Sequence, residues 1–112
     1  MQQREFEDML EAHPTKSKVI EKAQTYFYHF LELSLKNNIK FTQPHISSLL
    51  HEYDGADWYV EFEWWVGDKK LCIFFDDEEI FYIRVFDKIK PIEDGDIKSL
   101  DMCKNLLIWI QE

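Results

Sequence analysis

Residues Trp58 to Trp65 read Trp-Tyr-Val-Glu-Phe-Glu-Trp-Trp, a period-two alternation that an extended strand satisfies and a helix does not. On a strand, Trp58, Val60, Phe62 and Trp64 share one face, and Tyr59, Glu61, Glu63 and Trp65 share the other. The segments that follow are joined too tightly for parallel crossovers. Val66-Gly67-Asp68-Lys69 is a turn, Lys70 to Phe75 a strand, Asp76-Asp77-Glu78 a turn and Glu79 to Phe86 a strand, so neighbours must run antiparallel as a meander. Leu71, Ile73 and Phe75 continue the face of Trp64, and Phe81, Ile83 and Val85 are expected to extend it. Ile46 to Tyr53, ahead of the turn signal Asp54-Gly55, is a candidate for one more strand, giving three to four in all.

An apolar sheet face needs cover, and the chain supplies helices for it. Val19, Ala23, Phe27, Phe30 and Ser34 recur every three or four residues, which predicts an amphipathic helix from Thr15 to Asn37, with Thr15 or Ser17 as cap and Asn37-Asn38 as its left-handed stop. Leu100, Cys103, Leu106, Leu107 and Ile110 form a second stripe over Ser99 to Ile110, capped by Ser99 or Asp96. Phe6, Met9 and Leu10 suggest a short first helix over Gln3 to Ala12, limited by Pro14. The expected fold is therefore α+β: N-terminal helices, an antiparallel meander and a C-terminal helix, with the helices on one sheet face.

At 112 residues without a Gly/Pro/Ser-rich linker, residues 1–112 are expected to form a single domain. The nine Phe, five Tyr and four Trp can build a substantial core. The formal charge of −9 argues against direct nucleic-acid or membrane binding, since both depend on Lys and Arg neutralising negative charge; a basic protein partner is compatible with it. No signal-peptide or membrane-span pattern is present, so a cytoplasmic location is expected. Cys72 and Cys103 stand apart in apolar runs, as buried reduced thiols do, and imply neither a disulfide framework nor a zinc site.

Pro44-His45-Ile46, Asp54-Gly55, Glu63-Trp64-Trp65, Gly67-Asp68-Lys69-Lys70-Leu71, Glu79-Ile80-Phe81-Tyr82 and the closing Leu106-Leu107-Ile108-Trp109-Ile110 together form a pattern. Over roughly residues 25 to 111 it resembles a group of small bacterial proteins that share a P-x-I link, a D-G turn, an E-W strand and a closing L-x-x-W-[IL] helix. Those proteins have no agreed biochemical activity, and some lie among mobile-element or toxin–antitoxin-like genes. The resemblance implies an accessory or inhibitory binding role. The longer, more aromatic N-terminal helix of this chain sets it apart from them.

Candidate chemistry is sparse. Glu61 and Glu63 project from one strand face, where paired carboxylates can hold a divalent ion or divide acid and base work, while Arg84 nearby suggests cross-strand charge pairing. His45, His51 and Asp54 do not have the spacing of a known metal site, and His13 and His29 have no partner for a nucleophile dyad. The acidic runs Asp76-Asp77-Glu78-Glu79 and Glu93-Asp94-Gly95-Asp96 do not match a calcium-binding helix–loop–helix, and three glycines cannot build a phosphate-cradling loop. No catalytic, cofactor or metal residue is assigned.

What remains is the second sheet face, read as Tyr59, Glu61, Glu63, Trp65, Phe74, Tyr82 and Arg84, with Phe86 at its end. So aromatic a face calls for cover within the monomer, a homodimer or a partner protein. The function expected is a non-catalytic protein-interaction module, an inhibitor or antitoxin-like accessory. The alternatives are a small metal-dependent hydrolase using Glu61 and Glu63, and an acidic DNA mimic that occupies a DNA-binding protein.

Overall fold

The three- and four-residue recurrence of Val19, Ala23, Phe27 and Phe30 winds the backbone as expected, and in the computed structural model of the chain helix α1 spans Ser17–Lys36. The structure describes residues 17–50, 58–76, 78–87 and 90–112. Helix α1 ends where Asn38 enters the left-handed region at φ 53°. That turn lets the Ile39 N–H donate to the Ser34 carbonyl at 2.9 Å, satisfying an orphan carbonyl of the last turn. The expected helix over Gln3 to Ala12 and the Asp54-Gly55 turn lie outside the described residues.

Among the described residues, five antiparallel strands follow in sequence order: β1 (His45–Leu50), β2 (Trp58–Val66), β3 (Lys69–Phe75), β4 (Ile80–Phe86) and β5 (Lys90–Asp96). The meander is the α+β arrangement read from the sequence, carried one strand further by β5. The edge position of β5 explains how Pro91, which has no N–H to give a ladder, is tolerated there. Its register with β4 breaks between Arg84 and Val85. Lys90, Glu93, Asp94 and Asp96 make this edge a charged one, which discourages pairing with another chain.

Helix α2 (Leu100–Gln111) starts at Ser99, whose Oγ accepts from the Met102 N–H at 3.3 Å. Its buried stripe is Cys103, Leu106, Leu107 and Ile110; Leu100, expected on that stripe, is 46% exposed. Both helices lie on the face of Val60, Phe62 and Trp64. Phe27 meets Phe62 edge-on at 5.9 Å, and Phe30 meets Trp64 at 5.4 Å, geometries that add to the burial energy of the rings. The Trp64 Nε1–H donates to the Thr42 carbonyl at 2.7 Å, and Gln111 Nε2 donates to Thr42 Oγ1 at 3.2 Å. The link after α1 is thereby pinned to both the sheet and the end of α2.

On β4 the faces are the reverse of those expected. Phe75 pairs with Ile80, Ile73 with Tyr82 and Leu71 with Arg84, so Ile80, Tyr82 and Arg84 face the helices, and Phe81, Ile83 and Val85 face away. The hairpin loop is the cause. Residues 76–79 are even in number, which joins an odd-numbered position on β3 to an even-numbered one on β4. Among the described residues, no helix is long and apolar enough to cross a membrane.

Candidate functional site

The sheet face opposite the helices takes residues from all five strands, β5 placing Asp94 opposite Ile83 and Asp96 opposite Phe81. β2 presents Tyr59, Glu61, Glu63 and Trp65; the register places Phe74 opposite Glu61, Cys72 opposite Glu63 and Lys70 opposite Trp65. On β4, Phe81 stands opposite Phe74 and Ile83 opposite Cys72, while His45 of β1 stands opposite Glu63. Of the residues anticipated for this surface, Tyr59, Glu61, Glu63, Trp65 and Phe74 are brought together here. Tyr82 and Arg84 are not, for the register reason given above.

At one end of this face Trp65 is 46% exposed, and its Nε1–H donates to Glu63 Oε1. Lys70 Nζ lies 3.6 Å from Glu63 Oε2 and 4.8 Å from the Trp65 ring centroid. A charged pair is thus laid under an indole. Beside it, candidate ligand atoms of Glu61, Glu63 and Cys72 lie within 4.8 Å of one another. Burial, then the neighbouring Glu63 carboxylate, pushes the Glu61 carboxyl above its ordinary range. Burial and the nearby Glu61 push the Cys72 thiol up to about 12. A thiol so strongly held protonated is not an activated nucleophile.

The same group has the donor types of a zinc ligand set, thiolate and carboxylate. Part of the group has partners within the protein: Glu63 is engaged by Trp65 and Lys70, and the Cys72 thiol lies close to the Glu61 carboxylate. His45, the imidazole nearest in register, is exposed, and His51 and Asp54 lie outside the described residues.

At the other end of the face, next to the β3–β4 turn, three aromatic rings form a diagonal row. Tyr59 and Phe74 have ring centroids 5.7 Å apart with planes at 59°, and Phe74 and Phe81 lie 6.3 Å apart at 36°. They line a cavity of about 330 Å³ together with Asp76 and Glu79. The turn that holds those carboxylates is organised by Asp76, whose Oδ1 accepts from the Glu78 and Glu79 N–H groups, each at 2.8 Å. Its own N–H donates to the Glu79 carbonyl at 3.2 Å. The Glu79 carboxyl is pushed up first by Asp96 and further by Asp76 and Glu78, so like charges crowd this corner.

Tyr82 and Arg84 have a different task on the helix side. The Tyr82 hydroxyl donates to Glu93 Oε1 at 2.6 Å, and Arg84 Nη2 reaches Glu93 Oε2 at 2.5 Å. These two contacts tie the edge strand β5 to β4, and the Tyr82 hydrogen bond, followed by Arg84, holds the Glu93 carboxyl below its usual range.

Phe81, Cys72 and Lys70 were not anticipated on the outer face. For Phe81 the discriminating signal was the loop length, since the run Ile-Phe-Tyr-Ile-Arg-Val-Phe is apolar at nearly every position and its own periodicity cannot choose a face. No protein-family model, curated protein or solved structure matches this chain, so the geometry of this face alone carries the functional reading.

Proposed function

We propose that the chain is a non-catalytic protein-interaction module that engages a partner protein through the outer face of its sheet. The supporting observation is the composition of that face. Tyr59, Phe74, Phe81 and the half-exposed Trp65 span it, with Glu61, Glu63 and Lys70 between them. Aromatic side chains are enriched as anchors at binding surfaces, and charged groups beside them set orientation. The raised pKa of the Cys72 thiol argues against nucleophilic chemistry at the same place. Affinity capture from the native host tests the reading, using wild type beside Trp65→Ala and Glu63→Lys with thermal unfolding as the folding control. Wild type is expected to retain a partner that both folded variants lose; retention of the same partner by both would sink the proposal.

The mutual approach of Glu61, Glu63 and Cys72 favours a second reading, a metal-dependent hydrolase in which these side chains hold a divalent ion. Calorimetric titration with Zn²⁺, Mn²⁺ and Mg²⁺ tests it. Heat that is lost in Glu61→Gln supports this reading, and absence of binding removes it.

A further inference from the structure

We infer that the cavity between Tyr59, Phe74 and Phe81 receives an Arg or Lys side chain of a basic partner protein, its cationic head held among the rings and the Asp76 and Glu79 carboxylates. This rests on the interaction-module reading and names the chemistry of the partner. The cavity, about 330 Å³, has aromatic walls contributed by three successive strands and carboxylates at the turn end.

Each class of occupant meets a different fate there. An apolar side chain would fit the rings but would strip water from Asp76 and Glu79 without replacing it, a costly desolvation. An anion would add to the repulsion among Asp76, Glu78, Glu79 and Asp96. A metal ion finds no ligand atom on Phe74 or Phe81, and Asp76 Oδ1 already accepts two backbone N–H groups. An organic cation satisfies both halves of the cavity, attracted by the ring faces and by the carboxylates together.

Among the described residues, two lysines come near, Lys22 and Lys98. Lys22 Nζ donates to the Asp76 backbone carbonyl at 2.7 Å, and Lys22 and Lys98 line the neighbouring cavity, which shares Glu79 with the aromatic one. Among its described lining residues, the aromatic cavity has no Lys, Arg or His. With a net charge of −9 on the chain, a basic partner is also steered toward it. A protein side chain is preferred over a free small cation because the cavity opens onto the same face as Glu61, Glu63 and Trp65, which can contact the residues flanking the inserted one.

The test uses the full chain and three blocked tripeptides, Gly-Arg-Gly, Gly-Lys-Gly and Gly-citrulline-Gly, titrated at low salt while the Tyr59, Phe74 and Phe81 ring resonances are followed by NMR. The Arg or Lys peptide is expected to shift all three rings, with binding that weakens as salt is raised. Phe81→Leu should weaken it by about two- to fivefold, the range of an exposed cation–π contact, and Glu79→Gln by up to about fivefold, the range of an exposed charge pair. Equal binding of the citrulline peptide, or no shift from any peptide, would overturn the inference. So would tetramethylammonium binding more tightly than both cationic peptides, which would indicate a small organic cation. A dimer in sedimentation that Phe81→Leu dissolves would seat a second copy of the chain in the cavity and also overturn it. In the capture experiment, a partner lost by Trp65→Ala but kept by Glu79→Gln and Phe81→Leu would defeat the cation pocket and leave the interaction module standing.

Discussion

The guanidinium carbon of Arg84 lies 5.1 Å from the centroid of the Trp109 ring, joining β4 to the last turn of helix α2. Lys69 approaches the same ring at 5.2 Å and donates from Nζ to the Trp109 carbonyl at 2.8 Å. Two cations thus converge where the helix presents its negative end, an arrangement that the helix dipole favours. The expected result is a coupling of about 0.5–1 kcal/mol between Arg84→Met and Trp109→Leu in a double-mutant cycle, read by urea unfolding. Additive effects would mean that the contact contributes nothing.

Glu61 links the outer face to pH. Its folded pKa is raised, chiefly by burial, so the folded state binds the proton more tightly than the unfolded chain does. Its contribution is fully present below the ordinary carboxylate range and is lost as pH rises through the raised folded value. Glu61→Gln is therefore expected to be more stable than wild type at neutral pH, with the two converging in acid. Denaturant midpoints measured across that range check the sign, and a wild type that is the more stable at neutral pH contradicts it.

Both thiols should be slow to react in the folded protein. Burial pushes Cys72 and Cys103 up to about 12, and Cys103 is fully enclosed on the sheet-facing side of α2. Iodoacetamide at pH 8 is expected to label neither within the time that labels both in denaturant, as read by intact mass. Prompt labelling of Cys72 alone in the folded state would show that the outer face opens.

At Asn38 the left-handed backbone, φ 53°, sets the cost of substitution. Asn38→Gly should leave stability within a few tenths of a kcal/mol, whereas Asn38→Val should lose about 1–2 kcal/mol through the clash of a branched side chain in that conformation. Thermal unfolding of the two variants separates these outcomes.

Legibility in the sequence followed the strength of local contrast. β2 alternates aromatic and acidic residues, and helix α1 carries its stripe and its Asn stop, so both elements and the core residues Phe62 and Trp64 could be read directly. β5 carries Pro91, Gly95 and four charged residues, a composition that reads as loop and becomes a strand because β4 offers it a ladder and the edge tolerates a missing donor. The site was half legible for the same reason. Glu61 and Glu63 declare their face, but Tyr82 and Phe81 are both aromatic, and only the pairing across the hairpin separates the core residue from the surface one. Lys70 and Cys72 gain significance from neighbours on β2 that lie beyond the reach of local patterning.

The loop at residues 76–79 has a bearing on how chains of this design can diverge. Gaining or losing one residue there would exchange the two sides of β4, driving Phe81 and Ile83 under the helices and expelling Tyr82 and Arg84, with the clasp on Glu93 lost in the same stroke. Lengthening by two residues would spare both surfaces. Insertions tolerated at this hairpin, in evolution or in the laboratory, are therefore expected to come in even steps.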